Sequence, residues 1–568
     1  MKRFTKRLGY LLLLPLTLVY ATRCNGVLDI DPNDRYSETT AYANMQNFDL
    51  YIKSFYGVLM TANTAEIRSG GHMSELYTDL MKPTFYNQNF SGNDKVFYEP
   101  SMFTQVFALD NWNDMYDRIR RINEFIVDYN KGMVNHLSQE EVNYRVGEAR
   151  FWRAFAYNEL IPRYGGVVLR IAEDKLDNQN DRSKARASET DSWDFVIAEY
   201  KKAIDLLPAI WSAGEKGRVT KSTGYGLLAR AALYAERWDE ALNAISELDK
   251  LNQHRLIDDY AAIYTTPHNP ELILAGYFEA PNLQHRFDNL YGASADIKNV
   301  PDHGVAATPT EEFAGAFEIN VNGTWQEFSW NTVNTQGLDP WTNRDPRFYS
   351  TILYNGAPWK RLEDIPSKRW EPRNLQLFVG GEDGFHHFNI ADNTTRSTTT
   401  GYVVRKYLQY SAESDMQTRL SDQYWIEMRY AEIILIKAEA LARKEQFNQA
   451  YQELNKLRTT RASVQLPSLP VKTGWADFLE DLQKERIREL GLEGHRFWDL
   501  RRWGIAQEVM DGLIRHGVKI TKIDDDFNYE YIEVDTQPLA FPDRYVIHPI
   551  PLNEVQNNAA LEQNDLWK

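Results

Sequence analysis

The sequence contains almost no cysteine. The single cysteine among 568 residues is Cys24. One thiol excludes an internal disulfide, and it excludes a zinc site built from two or four cysteines. Because Cys24 directly follows a short apolar segment near the start of the chain, its position needs an explanation.

Basic residues are outnumbered by acidic ones, and long apolar runs are scarce. The formal net charge is −16, and an acidic surface repels phosphate backbones, so nucleic acid is not expected as a partner. After the start of the chain, no apolar run approaches the ~20 residues needed to cross a bilayer. The sequence also lacks the HExxH and GxSxG motifs and a phosphate-binding glycine loop with lysine, so no catalytic or nucleotide-binding signature is present.

The first residues have the layout of a secretory signal. Four basic side chains precede the apolar run Leu11–Tyr20, which is too short to span a bilayer. We therefore expect a signal peptide over residues 1–23, acyl chains on Cys24 and a polar tether over residues 24–38. The alternative is a cysteine that packs there by chance. The cleavage site is irregular, since Ala21 and Arg23 stand where a lipoprotein signal usually has leucine and a small residue.

Apolar residues recur with helical spacing in two parts of the chain. The spacing predicts helices over Thr39–Met60, Trp112–Tyr129, Glu141–Ile161, Asp191–Leu207, Lys221–Tyr234, Glu240–Leu251, Trp425–Leu441, Gln449–Thr459 and Trp475–Leu490. Residues 255–420 are instead rich in glycine, proline, asparagine and aromatic side chains, which predicts loops and short strands. The expected fold is mostly α: a superhelix of tetratricopeptide-like helix pairs with a long, irregular, partly β insertion.

An internal repeat supports the helix pairs. The segments Leu228–Leu248 and Lys437–Leu457 share a small residue, a turn, an aromatic residue and then alanine. The aligned positions are Ala229 with Ala438, Trp238 with Phe447, Ala241 with Ala450, Ile245 with Leu454, and Leu248 with Leu457. Small residues let two helices approach closely, and the aromatic ring fills the space between them. We expect the four alanines at close helix contacts.

Eight segments, in order along nearly the whole chain, resemble the SusD/RagB family of outer-membrane lipoproteins of Bacteroidota. They are CNGVLDIDP after the signal, NWNDMYDRIRRINEFI (Asn111–Ile126), EARFWRAFAYNELIPRYGGVVL (Glu148–Leu169), RVTKSTGYGLLARAALY (Arg218–Tyr234), NRDPRF (Asn343–Phe348), MRYAEIILIKAEAL (Met428–Leu441), ERIRELGLEGHRFWDLRRWG (Glu485–Gly504) and IHPIPLNEVQNNAALEQNDLW (Ile547–Trp567). One such match carries little weight, but the ordered set is highly specific.

The resemblance implies a helical protein built on four tetratricopeptide-like pairs, lipidated and displayed on the outer membrane. It implies a SusC-like TonB-dependent transporter as partner and an oligosaccharide as ligand, although some members look like peptide-uptake partners. It implies no enzymatic activity. On this reading residues 39–568 form one SusD-like domain: helical repeats at about 39–254 and 421–505, a ligand-binding insertion at about 255–420, and an irregular C-terminal segment at about 506–568.

Charged clusters allow two interpretations each. Glu485, Glu489 and Glu493 could act as acids or bases, but we favour a buried ion-pair network that joins helices. Glu382, Asp383, His386 and His387 form the compact cluster of metal-type ligands, and we expect neither a metal nor a redox cofactor. Arg501, Arg502 and Trp503 suggest either a cation–π ligand site or, as we favour, a structural plug at a helix end.

Aromatic side chains of the insertion are the better binding candidates. Sugars stack their C–H faces on Trp and Tyr rings, while polar side chains at the ring edge bind the hydroxyls. The candidate ligand-binding residues are Tyr86, Tyr291, Trp325, Trp330, Trp341 and Trp359, with Trp370 nearby. The alternative is that most of these rings fill the core of the insertion.

The sequence thus predicts capture of an extracellular glycan for an outer-membrane transporter, without catalysis. Three alternatives remain open: uptake of peptides or glycopeptides, a tetratricopeptide-like assembly scaffold, and a carbohydrate-active enzyme. Exposed rings with polar edges would favour glycan, and a charged groove with backbone donors would favour peptide. A bare apolar groove would favour a scaffold, and two carboxylates across a pocket would favour an enzyme.

Overall fold

The computed structural model describes residues 38–61, 73–84, 96–100, 109–172, 174, 179–296, 304–364, 369–386, 397–409 and 420–568. Helices predominate, and the strands are short and scattered, which confirms the predicted mostly α fold. The predicted signal peptide, Cys24 and Tyr86 lie outside the described residues.

The longer helices lie before and after the insertion, and the insertion itself contains four short helices among its described residues. In chain order the helices are α1 (Glu38–Ala41), α2 (Met45–Lys53), α3 (Trp112–Asn130), α4 (Gln139–Tyr164), α5 (Gln179–Arg182), α6 (Glu189–Leu206), α7 (Lys221–Tyr234), α8 (Trp238–Lys250), α9 (Phe287–Tyr291), α10 (Glu311–Ala314), α11 (Trp330–Gln336), α12 (Pro346–Thr351), α13 (Tyr430–Arg443), α14 (Phe447–Thr459), α15 (Trp475–Leu490), α16 (Arg496–Arg502), α17 (Ala506–Met510) and α18 (Leu552–Asn557).

The strands of the described residues pair two by two and antiparallel, as β1–β3, β2–β10, β4–β5, β6–β9, β7–β8 and β11–β12. They are β1 (Met81–Pro83), β2 (Leu272–Gly276), β3 (Ala307–Pro309), β4 (Ile319–Val321), β5 (Thr324–Gln326), β6 (Ile352–Leu353), β7 (Pro358–Asp364), β8 (Arg369–Asn374), β9 (Val403–Val404), β10 (Trp425–Arg429), β11 (His516–Ile523) and β12 (Asp526–Glu533). Strand β2 lies near the start of the insertion and β10 just after its end, so their pairing brings the two ends of the insertion together.

The repeat seen in the sequence is a structural repeat. The turn between α7 and α8 places Glu236 at φ 56°, and the turn between α13 and α14 places the aligned Glu445 at φ 59°. In both turns the next residue donates its backbone N–H to the same helix end, from Arg237 to Ala232 and from Gln446 to Leu441.

The four alanines that the repeat aligns, Ala229, Ala241, Ala438 and Ala450, are fully buried. Their burial is what the predicted close helix contacts require.

Some helix boundaries differ from the prediction. The segment Trp425–Arg429 is strand β10, and α13 begins only at Tyr430. The apolar residues of β10 pair with β2 instead of forming a helix turn. This pairing is a long-range contact, which local spacing does not reveal. The predicted helix over 39–60 divides into α1, α2 and a 3₁₀ turn at Ser54–Val58. Helix α4 continues past Pro162 to Tyr164.

The predicted irregular C-terminal segment contains a regular hairpin. Strands β11 and β12 pair along their whole length, from His516 opposite Glu533 to Ile523 opposite Asp526. Val518 and Ile520 alternate with polar residues and are fully buried, so the hairpin packs one face on the core. This two-residue alternation is a strand signal that the search for helical spacing missed.

Candidate functional site

Three of the predicted binding rings lie in the core of the insertion. Tyr291, Trp330 and Trp341 are 1%, 6% and 6% exposed. Trp341 stacks on Tyr354 with ring centroids 5.1 Å apart and meets the edge of Trp330 at 5.9 Å. Rings covered in this way leave no free face for a sugar, so their main role is packing.

Two other candidates keep part of their surface. Trp325 on β5, opposite Asn320 on β4, and Trp359 on β7, opposite Arg373 on β8, are both half-buried. Trp359 also lines an open pocket of about 370 Å³. We call this the Trp359 pocket and define its rim by Trp359, Lys360 and Arg405.

The hairpin β7–β8 positions the ring and one cation of the rim. Lys360 follows Trp359 on β7, and its Nζ lies 5.9 Å from the Trp359 ring centroid and 5.1 Å from that of Trp370 on β8. Both distances are within reach of a cation–π contact. Burial lowers the pKa of Lys360, because desolvation disfavours the ammonium form.

Arg405 supplies the second cation of the rim. It directly follows β9, and its backbone N–H donates to the carbonyl of Thr351 over 3.0 Å. Its guanidinium carbon lies 4.9 Å from the Trp359 ring centroid. Within the described part of the chain, the Arg405 side chain has no hydrogen bond and no carboxylate partner. Burial lowers its pKa, which again shows that the charge is partly desolvated.

The inner wall of the pocket is rigidly held. Lys406, next to Arg405, is buried and donates to the Glu493 carboxylate over 3.0 Å and to the Gly491 carbonyl over 2.8 Å. Gln409 donates its side-chain amide to the Tyr264 carbonyl over 2.6 Å. These bonds hold the segment that carries Arg405 against Tyr264 and against the residues that follow α15.

Glu485, Glu489 and Glu493 form the predicted ion-pair network. All three are buried, on α15 or just after it, and their partners are buried cations. The contacts are Arg347 with Glu485 at 2.6 Å and Glu489 at 3.0 Å, Arg461 with Glu489 at 3.0 Å, and Arg429 with Glu489 and Glu493 at 2.7 Å each. Carboxylates held this way join elements and are not free to accept a substrate proton.

The charges of this network remain stable despite their burial. Desolvation alone would raise the pKa of Glu489, but Arg461, Arg429 and Arg347 outweigh it and hold that pKa well below its usual range. In the same way Arg429 and Lys406 outweigh burial at Glu493 and hold its pKa at about 2. Both glutamates are therefore ionised at neutral pH.

The other charged clusters are also structural. Arg502 binds Glu439 of α13 through two bonds, of 2.5 and 2.8 Å, and the Trp503 indole donates to the same carboxylate over 2.9 Å. These contacts confirm the predicted structural role of Arg502 and Trp503 at the end of α16.

In the candidate metal cluster, Glu382 pairs with Arg361 and Asp383 with Arg373, while His387 lies outside the described residues. Among the residues that the structure describes, no three His, Cys, Asp or Glu side chains are grouped as a metal site.

A second open pocket, of about 660 Å³, lies beside Trp330. Its exposed aromatic ring is Tyr531, which stacks on His516 with centroids 4.6 Å apart. The buried carboxyl of Glu311 also lines this pocket, and burial raises its pKa to about 7. Since its tryptophan is almost covered, this pocket is the weaker candidate for sugar stacking.

The sequence identified Trp359 but not its two cationic neighbours. Lys360 could have been found, since it adjoins the ring in sequence. Arg405 reaches the ring only because β9 pairs with β6, and no local pattern distinguishes it from the other arginines.

Comparison with known proteins identifies the family. The model of the SusD family matches residues 270–567. A second family model, described as starch-binding associating with outer membrane, matches residues 28–233. The SusD-like protein P38 of Formosa agariphila is 23% identical over 529 residues, which cover 90% of this chain and 94% of that protein.

Solved structures show the same fold. A SusD-like protein from Bacteroides fragilis superposes with a TM-score of 0.75 at 25% identity, over 93% of this chain and 98% of that one. A SusD-like carbohydrate binding protein from the same species gives a TM-score of 0.69 at 21% identity, over 92% of this chain and 100% of that one. Since the SusD family model alone spans more than half of the sequence, the chain belongs to the SusD family.

Proposed function

We propose that this protein captures an extracellular oligosaccharide at the cell surface and passes it, uncleaved, to a TonB-dependent transporter of the outer membrane. The observation that carries the proposal is the half-buried Trp359 ring in an open pocket of about 370 Å³, in a member of the SusD family. An indole ring that is partly exposed offers a surface on which a sugar ring stacks.

The polar side chains around the ring suit sugar hydroxyls. Ser350, Thr265 and Gln409 line the same pocket, and each offers a hydroxyl or amide oxygen. The amide nitrogen of Gln409 donates to the Tyr264 carbonyl, which leaves the side-chain oxygen of Gln409 to accept a hydrogen bond. A relative of the same fold is named as carbohydrate binding, which supports this assignment.

Binding without cleavage fits the charges of the pocket. Glycoside hydrolysis in most families uses two carboxyl groups on opposite sides of the scissile bond. The described residues that line the Trp359 pocket include no aspartate or glutamate. The glutamates that the sequence raised as possible acids or bases are committed to arginines in the core.

In this proposal the N-terminal segment attaches the protein to the outer membrane. The signal-like segment and Cys24 favour a lipid anchor, and one of the matched family models is described as associating with outer membrane. None of the helices in the described ranges is both long enough and apolar enough to span a bilayer. A lipid-anchored binding protein would deliver its ligand through a SusC-like transporter, and co-purification of such a transporter from detergent-solubilised membranes tests this step.

The binding test compares two tryptophans. Trp359→Ala in the mature chain, residues 24–568, should weaken oligosaccharide binding in calorimetry by about 1–3 kcal/mol, by analogy with base–aromatic stacking. Trp475→Ala is the matched control, because Trp475 is also half-buried and covered by a guanidinium, that of Arg443 at 3.5 Å, but lies on α15. Trp325→Ala and Tyr86→Ala test the remaining candidates in the same way.

Two outcomes would contradict the proposal. Equal affinity of the wild type and Trp359→Ala for the oligosaccharide would show that the Trp359 ring takes no part in binding. Shorter products in chromatography of the ligand after long incubation would contradict capture without cleavage. Peptide pools in the same calorimetric series test the alternative ligand class. Tight peptide binding without glycan binding would show that the ligand is a peptide and not a glycan.

A further inference from the structure

The Trp359 pocket concentrates positive charge on a strongly acidic protein. Lys360 and Arg405 both lie within 6 Å of the Trp359 ring centroid, while the chain as a whole carries a net charge of −16. General attraction of anions by such a protein is not expected, so any anion that binds must be recognised locally.

Neighbouring arginines of the hairpin are neutralised, but Arg405 is not. Arg361 pairs with Glu363 at 2.7 Å and Glu382 at 2.6 Å. Arg373 pairs with Asp296 at 2.8 Å and also with Asp383. In the part of the chain that the structure describes, the Arg405 guanidinium lies over the Trp359 ring and has no carboxylate partner.

The Arg405 side chain is half-buried, and none of the hydrogen bonds in the described residues uses its N–H donors. A guanidinium that lies over an aromatic ring keeps its in-plane N–H donors free, and these donors match the paired oxygens of a carboxylate or sulfate. Burial lowers the pKa of Arg405, and an anion beside its guanidinium would relieve this cost of desolvation. Burial also lowers the pKa of Lys360, although Asp288 and Asp296 act on it in the opposite direction, so Arg405 is the main anion-binding group and Lys360 a second donor.

We propose that the ligand of the Trp359 pocket is an anionic oligosaccharide, whose sugars carry a carboxylate or a sulfate ester held by Arg405 and Lys360. This rests on the proposed glycan-binding function and specifies the class of glycan. The sugar ring packs on the exposed part of Trp359, and the acidic substituent bonds to the two cations at its edge.

The test uses pairs of ligands that differ only in charge. One pair is an oligogalacturonate and its fully methyl-esterified form, and the other is a sulfated galacto-oligosaccharide and its desulfated form. In calorimetry of the mature chain, at least one anionic member should bind about tenfold or more tighter than its neutral partner, since a charged hydrogen bond exceeds a neutral one. This preference should shrink at high salt. The pair with the larger preference identifies the acidic group.

Variants assign the preference to the pocket. Arg405→Gln should bring the anionic and neutral affinities together, while Arg369→Gln should not, because Arg369 is an exposed cation on the same hairpin outside the rim. Lys360→Gln is the second test, and it should reduce the preference even if Arg405→Gln fails to fold.

Each remaining result is decisive. Equal affinity for charged and neutral forms overturns this inference but leaves glycan binding in place. An undiminished preference in both Arg405→Gln and Lys360→Gln also overturns it. Failure of the wild type to bind any oligosaccharide of a broad panel overturns the proposed function as well.

Discussion

Arg429 holds Glu489 by two separate contacts. Its Nη1 lies 2.7 Å from the carboxylate, and its Nη2 donates to the backbone carbonyl of the same residue over 2.7 Å. Both side chains are fully buried, and they join strand β10 to helix α15. Since Arg347 and Arg461 also contact the Glu489 carboxylate, one anion joins cations from three segments of the chain.

We expect Glu489→Gln to destabilise the protein by about 3–5 kcal/mol, because removing one partner leaves buried charges uncompensated. Urea unfolding measures the change. Glu480→Gln on the same helix is the control, since Glu480 is exposed and pairs only with Lys484 in the described contacts of its carboxylate, at 2.7 Å. Its cost should stay below about 1 kcal/mol. Similar unfolding free energies for the two variants would show that the network contributes little to stability.

The helix-pair repeat predicts intolerance of larger side chains at its alanines. Ala241 on α8 and Ala450 on α14 are fully buried, so leucine at either position should overpack the junction and cost about 1–3 kcal/mol. Ala476→Leu, at an exposed position near the start of α15, is the control and should leave thermal unfolding nearly unchanged. Unfolding temperatures that match in all three variants would contradict close packing at these helix contacts.

Local signals explain why the helical part of the fold could be predicted. The aligned turns at Glu236 and Glu445, and the alanines on each side of them, are encoded within about twenty residues and repeat in the sequence. Strand β10 could not be predicted in this way, because its apolar residues suit a helix equally and only pairing with β2 decides between them.

The residues of the candidate site also differ in whether local sequence signals could predict them. The composition of the insertion indicated Trp359 as a binding residue, but it indicated Tyr291, Trp330 and Trp341 equally. These three rings are buried. Aromatic rings serve cores and binding sites alike, and the sequence does not show which ring is covered. Arg405 escaped notice because its position depends on strand pairing far along the chain.

Glu311 should make stability depend on pH. Burial raises its folded pKa to about 7 from an ordinary value of 4.5. Between these two values the native carboxyl keeps its proton while the unfolded carboxyl releases it, so this group's contribution to stability falls as pH rises from 4.5 to 7 and is constant above. The loss is about 3 kcal/mol at 1.36 kcal/mol per pKa unit.

The difference between wild type and Glu311→Gln isolates this effect from other titrating groups. Relative to wild type, the variant should gain about 2.5 kcal/mol of unfolding free energy when the pH is raised from 5 to 8, since part of the loss has already occurred at pH 5. Denaturant unfolding at both pH values measures it. For Glu480→Gln the difference should be the same at pH 5 and 8, because contact with Lys484 lowers the pKa of that exposed carboxyl. A pH-independent difference for Glu311→Gln would show that Glu311 is charged throughout.

The proposed lipid anchor leads to a prediction about Cys24. One acyl chain anchors a protein only marginally, whereas two or more hold it stably, so the attachment should depend wholly on the Cys24 thiol. Cys24→Ala should therefore move the protein out of the outer-membrane fraction or leave it unprocessed, and it should abolish labelling by radioactive palmitate. Arg23→Gly is the matched control, because it restores a small residue before the cysteine and should keep labelling and membrane attachment at least at the wild-type level. A Cys24→Ala protein that fractionates with the outer membrane as the wild type does would show that something other than this cysteine holds the chain there.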